Sequence, residues 1–381
     1  MRISVLGFIG KLPLAGVTGH FLQYLLGLRK LGHDVFYIDD SGARPFDPIH
    51  NTKSMDVSYS IDYLSRHLER FGFADRWAYM DYCGNYNGMS QERTHEVLRT
   101  SDLLINVSAG NVLREEHLRV PKRILVDADP PFLQIDAAEG YQEVIDFLKQ
   151  HTTLFTFAEN IGKTNCRIPS GGFTWETTRQ PVVLGLWPYA FNPNVVALTT
   201  IMNWNTGRGH TEFQGEVYGE KDVEFIKFAQ LPCYTSQVLD IGMAHPPASQ
   251  EQLLALGWRL HDPFPPTRDL WTYQEYLANS RGEFSVAKNA YVRPWSGWFS
   301  ERSACYMACG KPVILQDTGF SEWLPTGNGV FAFDIVEEAV EAIAQMNIAY
   351  EHHCKAARRL VEEYFNSDEV LRDLLKKSGC N

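Results

Sequence analysis

Residues Ser285–Phe320 read SVAKNAYVRPWSGWFSERSACYMACGKPVILQDTGF. A short strand-like run that includes Lys288 leads into the turn Ser296-Gly297. A helix then opens near Ser300 and closes at Gly310, and a buried strand, Pro312–Gln316, follows. A helix that starts behind a Ser-Gly turn leaves its first N–H groups without partners. With the positive end of the helix dipole they form an anion site. Ser300 is the expected N-cap, Glu301 suits the first turn, and Arg302 and Ser303 are placed to reach a phosphate. Lys288, flanked by apolar residues, is the first cation expected beside it.

Upstream, Met1–Gly7 is apolar enough for a buried strand, and Phe8–Gly19 reads as a loop with Gly10, Gly16 and Gly19. Apolar residues at helical spacing run from His20 to Leu31, and Asp34–Asp39 is a second strand. Strand, glycine loop, helix and strand open a parallel α/β sheet. The glycines do not follow GxGxxG, so Asp39-Asp40 at the second strand end gives only a weak dinucleotide signal. Further strands are expected at Asp102–Val107, Arg123–Val126 and Thr153–Ala158, with helices at Ile61–Phe71, Ser90–Thr100 and Glu139–Gln150. Pro45–Tyr59 reads as an irregular excursion and Trp77–Asn87 as an aromatic surface or cleft segment. Carboxyl ends of parallel strands form ligand crevices, so the loops Gly7–Gly19, Ser108–Asn111 and Asp127–Pro131 should lie together.

Ile168–Pro188, rich in Gly and Pro, reads as a connection. A second α/β series follows. It has strand Val195–Met202, loop Asn203–Gln214 with Arg208, helix Asp222–Leu231 and strand Val238–Ile241, and then the quoted stretch. The expected architecture is two Rossmann-like domains facing across a cleft. They span 1–180 and 181–350, with C-terminal helices over 351–381 packing back toward the first.

The chain has 381 residues, 44% hydrophobic and 21% charged, enough for two real cores and little disorder. Net charge is −11, and no basic stripe stands out, which argues against a nucleic-acid partner. Seven cysteines lack CxxC spacing and read as reduced thiols of a cytoplasmic protein. No run reaches the 18 or so apolar residues of a membrane span.

The opening VLGFIGKLPLAGVTGHFLQYLLGLRKLGHDV and the later SGWFSERSACYMACGKPVILQDTGF resemble the GT-B-fold glycosyltransferases, of the family 1 and family 4 type. The sharp agreement covers about 60 residues, chiefly ACGKPVI at Ala308–Ile314. The resemblance implies a nucleotide-sugar donor such as a UDP-sugar in the second half and a small-molecule or glycan acceptor in the first. It places donor contacts at Gly16, Arg208, Lys288, Ser296, Gly297, Ser300, Arg302 and Ser303, and implies no metal. His20 falls where some inverting members place their catalytic histidine, with Asp127 or Asp102 as a carboxylate to orient it. Many retaining members carry two glutamates eight positions apart. Aligned on ACGKPVI, those positions are Gly297 and Cys305, so the ribose-binding carboxylate is missing. Three alternatives stay open: a non-catalytic nucleotide-sugar-binding protein, a nucleotide-sugar epimerase of the same shape, and a metal-dependent transferase using Asp127 and Asp129 as a DxD pair. Trp295, Trp298 and Phe299 are candidates either to stack on a sugar or base or to fill the core.

Overall fold

The computed structural model describes residues 1–205, 207, 209–245, 247 and 250–380. The first half is built on an eight-stranded sheet in the order Trp175–Thr177, Thr153–Thr156, Lys122–Asp127, Leu103–Val107, Arg2–Leu6, Asp34–Asp39, Trp77–Met80, Tyr86–Gly88. Every pairing is parallel except the last, a hairpin on the edge. The second half is an all-parallel sheet in the order Arg259–His261, Val238–Ala244, Ala197–Asn203, Gly282–Ser285, Val313–Gln316, Val330–Phe333. Helices cover both faces of the sheets. That is why strands such as Val313–Gln316 are buried throughout rather than alternating.

Both sheets reverse direction of growth beside their first strand. In the first half this switch lies between Arg2–Leu6 and Leu103–Val107, and in the second between Ala197–Asn203 and Gly282–Ser285. Crevices outside the strand ends at such points are where doubly wound sheets bind ligands. The three loops expected to meet in the first half do so. Asn111 Nδ2 donates to Gly7 O at 3.0 Å, His20 Nε2 lies 3.1 Å from Ser108 Oγ, and the Ser108 N–H donates to Val126 O.

The halves share one apolar core. It runs from Ile3, Phe21 and Tyr24 through Trp187 and Leu270 to Ala304–Cys309 and Leu371. Helix Ser367–Lys377 packs on helix Ala15–Lys30, where a Cβ on Gly27 would come within 2.5 Å of Leu371 Cδ1. A larger residue there would make Leu371 shift.

Several expected boundaries move. The first helix begins at Ala15, not His20: Leu14 is the extended N-cap and the chain is helical from the next residue. Gly16 therefore sits in a helical turn rather than in a phosphate-facing loop. The expected connection Ile168–Pro188 contains the edge strand Trp175–Thr177, and the excursion Pro45–Tyr59 contains a small hairpin. Trp77–Asn87 extends the sheet. The strand before Lys288 ends at Ser285, and Lys288 precedes a short helix, Asn289–Val292.

Candidate functional site

In the second half, strand Gly282–Ser285 delivers the chain to the switch point, and helix Glu301–Ala308 starts beside it. Ser300 occupies the N-cap with extended backbone, but its hydroxyl caps nothing. The Ala304 N–H donates to Ser300 O at 3.1 Å, so the three preceding helical N–H groups have no backbone acceptor. Ser303 is fully buried and its hydroxyl has no partner. Both serines line a cavity of about 20 Å³, with Ser285, Trp298, Gln316 and Thr318. Gln316 is fixed by donating to Glu224 and accepting from the Ala287 N–H, so this wall is preset.

Lys221, Lys288 and Arg302, the last in the first turn of this helix, lie within electrostatic reach of one another, with Glu283 and Glu220 among them. Burial pulls the Lys221 amine well below its ordinary range, and the nearby Arg302 and Lys288 cations push the same way, against Glu283 and Glu220. Arg302 turns inward, correcting its expected place on a phosphate. Its guanidinium donates to the buried Glu283 at 2.6 Å, to Ile201 O at 2.9 Å and to Ser285 Oγ at 2.8 Å. Lys288 Nζ lies 2.9 Å from both oxygens of Asp129, which comes from the first half. Arg208 lies outside the described residues.

Ser296 and Gly297 form a joint. Ser296 Oγ donates to Tyr291 O at 2.8 Å, and the Asn160 N–H of the first half donates to Ser296 O at 3.0 Å. Gly297 has φ +74°, and a Cβ there would meet Asn160 at 2.7 Å. Asn160, fully buried, plugs this turn and Gly319, so neither Ser296 nor Gly297 is open to a ligand. Of the three aromatics, Phe299 is core. Trp298 stacks on Tyr291 at 4.1 Å, and Trp295 donates its indole N–H to Glu322.

Asp127 is not placed as a base. It is 3% exposed, and accepts from Gln134 at 2.7 Å, Thr156 at 3.1 Å and the Asp129 N–H at 3.2 Å. Burial pushes its carboxyl up to about 6. It braces the loop that carries Asp129. Because Asp129 is turned to Lys288, the two carboxylates share no metal position. Asp102 also fails to reach His20, since it sits at the opposite strand end and accepts the Arg2 N–H. His20 is half-buried beside Ser108, Tyr24 and Phe157, and burial pushes its imidazole down to about 4.

The first half's glycine loop is already satisfied. The Gly10 N–H donates to Asp39 Oδ2 at 2.5 Å and the Ile9 N–H to Tyr37 Oη at 2.7 Å. Burial pushes Asp39 up to about 7. Asp40, Glu116 and His117 have the spacing of a metal cluster. However, His117 Nδ1 accepts the Arg114 N–H, which leaves the proton of a neutral ring on Nε2, toward Asp40. Arg114 also fills the gap between the two carboxylates. The cluster is a capping device.

Lys221 is not among the residues that the sequence motifs point to. A lysine as first residue of a helix opposes the dipole, and that misfit is the signal its position offers. Asn160 and Tyr291 carry none.

No protein-family model matches the sequence, and no curated protein does. Solved structures match over the full length. An alpha-glucosyltransferase in complex with UDP and mismatched DNA has a TM-score of 0.58 at 10% identity, covering 100% of this chain and 99% of that one. AviGT4, a glycosyltransferase involved in avilamycin A biosynthesis, has 0.55 at 14%, covering 99% and 96%. Sucrose-phosphate synthase from Thermosynechococcus elongatus has 0.58 at 13%, covering 98% and 97%. The chain has the GT-B fold. At these identities the likeness is one of fold. It also corrects the exclusion of nucleic acid drawn from net charge, because alpha-glucosyltransferases of this fold are bound to DNA. None of the helices among the described residues is long and apolar enough to cross a membrane.

Proposed function

We propose that this GT-B chain transfers a sugar from a nucleotide-sugar donor to an acceptor hydroxyl, with the donor on the second half (181–350) and the acceptor on the first (1–180). One observation carries the reading. At the second switch point a helix start has free N–H groups and the unpartnered Ser303 hydroxyl, and Arg302 in its first turn lies within electrostatic reach of Lys221, which in turn feels Lys288. In the reaction the bond from sugar C1 to the diphosphate oxygen breaks and a bond from C1 to the acceptor oxygen forms. The leaving diphosphate gains charge, and fixed cations and N–H groups aimed at it are the largest expected source of rate. Lys221, Lys288, Ser300 and Ser303 hold it, and Arg208 is kept as a further donor contact. Arg302 acts through Ser285 and Glu283.

His20 is our candidate to take the acceptor proton if the reaction inverts. Held neutral above about pH 4, it has the protonation state of a base. We propose that no metal is required, since Lys288 and the helix N–H groups offer positive charge and Asp127 and Asp129 are engaged elsewhere. Seven free cysteines, four of them buried, support a reducing, cytoplasmic setting. UDP, found in structures of this fold, is the donor nucleotide to test first.

A second reading, a nucleotide-sugar-binding protein without chemistry, is favoured by Gly297 and Cys305 standing where many retaining members have glutamates. Replacing His20 with Ala separates the two. Turnover lost with UDP binding retained supports an inverting transferase. Binding with no turnover in any acceptor screen supports the second reading. Absence of binding to UDP, GDP, dTDP or ADP overturns both.

A further inference from the structure

The loop Asp127–Pro131 of the first half is tied to the segment Lys288–Trp298, which leads into the helix start that the donor reading assigns to phosphate. Lys288 Nζ donates to both oxygens of Asp129, and Tyr291 Oη donates to the same carboxylate. Trp298, which lines the cavity, donates its indole N–H to Ala128 O at 3.0 Å. Phe132, next along the chain, packs with Tyr218 and Ala290 of the second half. Among these contacts only Asp129 brings a negative charge. The cavity, about 20 Å³, has room for about one water and not for a diphosphate. A diphosphate seated there needs more room than the cavity offers, and the nearby lysine that would receive it is held by Asp129.

We propose that Asp129 is an internal stand-in for the donor's phosphate. It neutralises Lys288 and clasps the two halves until a nucleoside diphosphate takes the lysine and displaces the carboxylate. This rests on the donor-site reading above and adds its regulation. The contact suits such an exchange. The Lys288 side chain is 16% exposed, so its charge needs a partner, whereas Asp129 is 48% exposed and loses little by returning to water. A diphosphate offers more charge and more acceptor oxygens than one carboxylate.

The test compares UDP and inorganic pyrophosphate binding to the wild type, Asp129→Asn and Lys288→Met by calorimetry, with hydrogen exchange over Ala128–Ile135. The stand-in predicts that Asp129→Asn tightens UDP by about threefold to fivefold, the scale of a partly exposed ion pair. Lys288→Met should weaken it. Exchange over Ala128–Ile135 should speed up in Asp129→Asn alone, and in the wild type when UDP is added. Tyr291→Phe, which keeps the charge and removes one donor to it, should tighten UDP by a smaller factor and covers the case of an unstable Asp129 variant. Weaker or unchanged UDP binding in Asp129→Asn overturns the proposal, as does UDP slowing exchange in the loop. If the wild type binds neither UDP nor pyrophosphate, the donor reading fails. Faster exchange in Asp129→Asn then marks the clasp as a structural joint only.

Discussion

After strand Arg2–Leu6 and again after strand Gly282–Ser285, the chain reaches a switch point flanked by the start of a helix. In the first half the loop's N–H groups turn back onto Asp39 and Tyr37, and a buried carboxylate at the strand end does the work of an anion. In the second half the helix cap is unfilled, a buried serine lacks a partner, and Arg302 of the first turn lies within electrostatic reach of Lys221. The same topology thus yields one site that is internally neutralised and one that asks for an external anion. Glycine content does not distinguish them. What does is whether a carboxylate is aimed at the turn from within its own half.

The comparison breaks most visibly if the second site loses its cations. Replacing Lys221 and Lys288 with Met together should weaken UDP by at least about a hundredfold, because a bound diphosphate restores the charge that burial draws from Lys221 and each lysine then makes a charge-assisted contact. Calorimetry reads this directly. The joint in front of the helix comes next. Gly297→Ala forces a Cβ into Asn160 at positive φ, and should destabilise the protein by about 2–4 kcal/mol in urea unfolding.

A smaller effect follows from Glu301, in the first turn of the same helix. Burial pushes its carboxyl up to about 7, beside Gln23 and Cys305. Because the folded value lies above the unfolded one, the folded state binds more protons between about pH 4.5 and 7, and stability falls as pH rises through that window. Glu301→Gln should therefore raise stability at pH 8 by about 1–2 kcal/mol and change little at pH 4. Melting curves at both values check it.

The smallest effect sharpens the contrast. Asp39→Asn loosens the neutralised loop of the first half. It should leave the UDP dissociation constant within about twofold of wild type, against the collapse expected from the lysine pair. By the same sign argument it should flatten the loss of stability between about pH 4 and 7, since the buried Asp39 also titrates near 7.

Much of this fold is legible in the sequence. Apolar runs mark the parallel strands because strands covered on both faces cannot alternate. The Ser-Gly turn and the break at Gly310 bracket the helix Glu301–Ala308. The site residues are less legible, because a sequence shows which groups a chain carries and not which way they face. Arg302 has the place of a phosphate ligand, yet the buried Glu283, nineteen residues earlier, draws it inward. Gly297 has the pattern of a flexible turn, yet Asn160 fills it from 137 residues away. Asp127 stands at a strand end, where exposure is expected, yet Gln134 and Thr156 hold it inside. Each of these departures is a long-range pairing that local spacing does not encode. Lys221 differs, since its clash with the helix dipole is a local feature.

The most direct test of a donor site at the second switch point is a crystal structure of the protein with UDP. The diphosphate should lie on the first turn of helix Glu301–Ala308, within hydrogen-bond reach of Ser303 and Lys288, with Asp129 turned away. Density for the diphosphate on the loop between Gly7 and Pro13, with Lys288 still on Asp129, would contradict it.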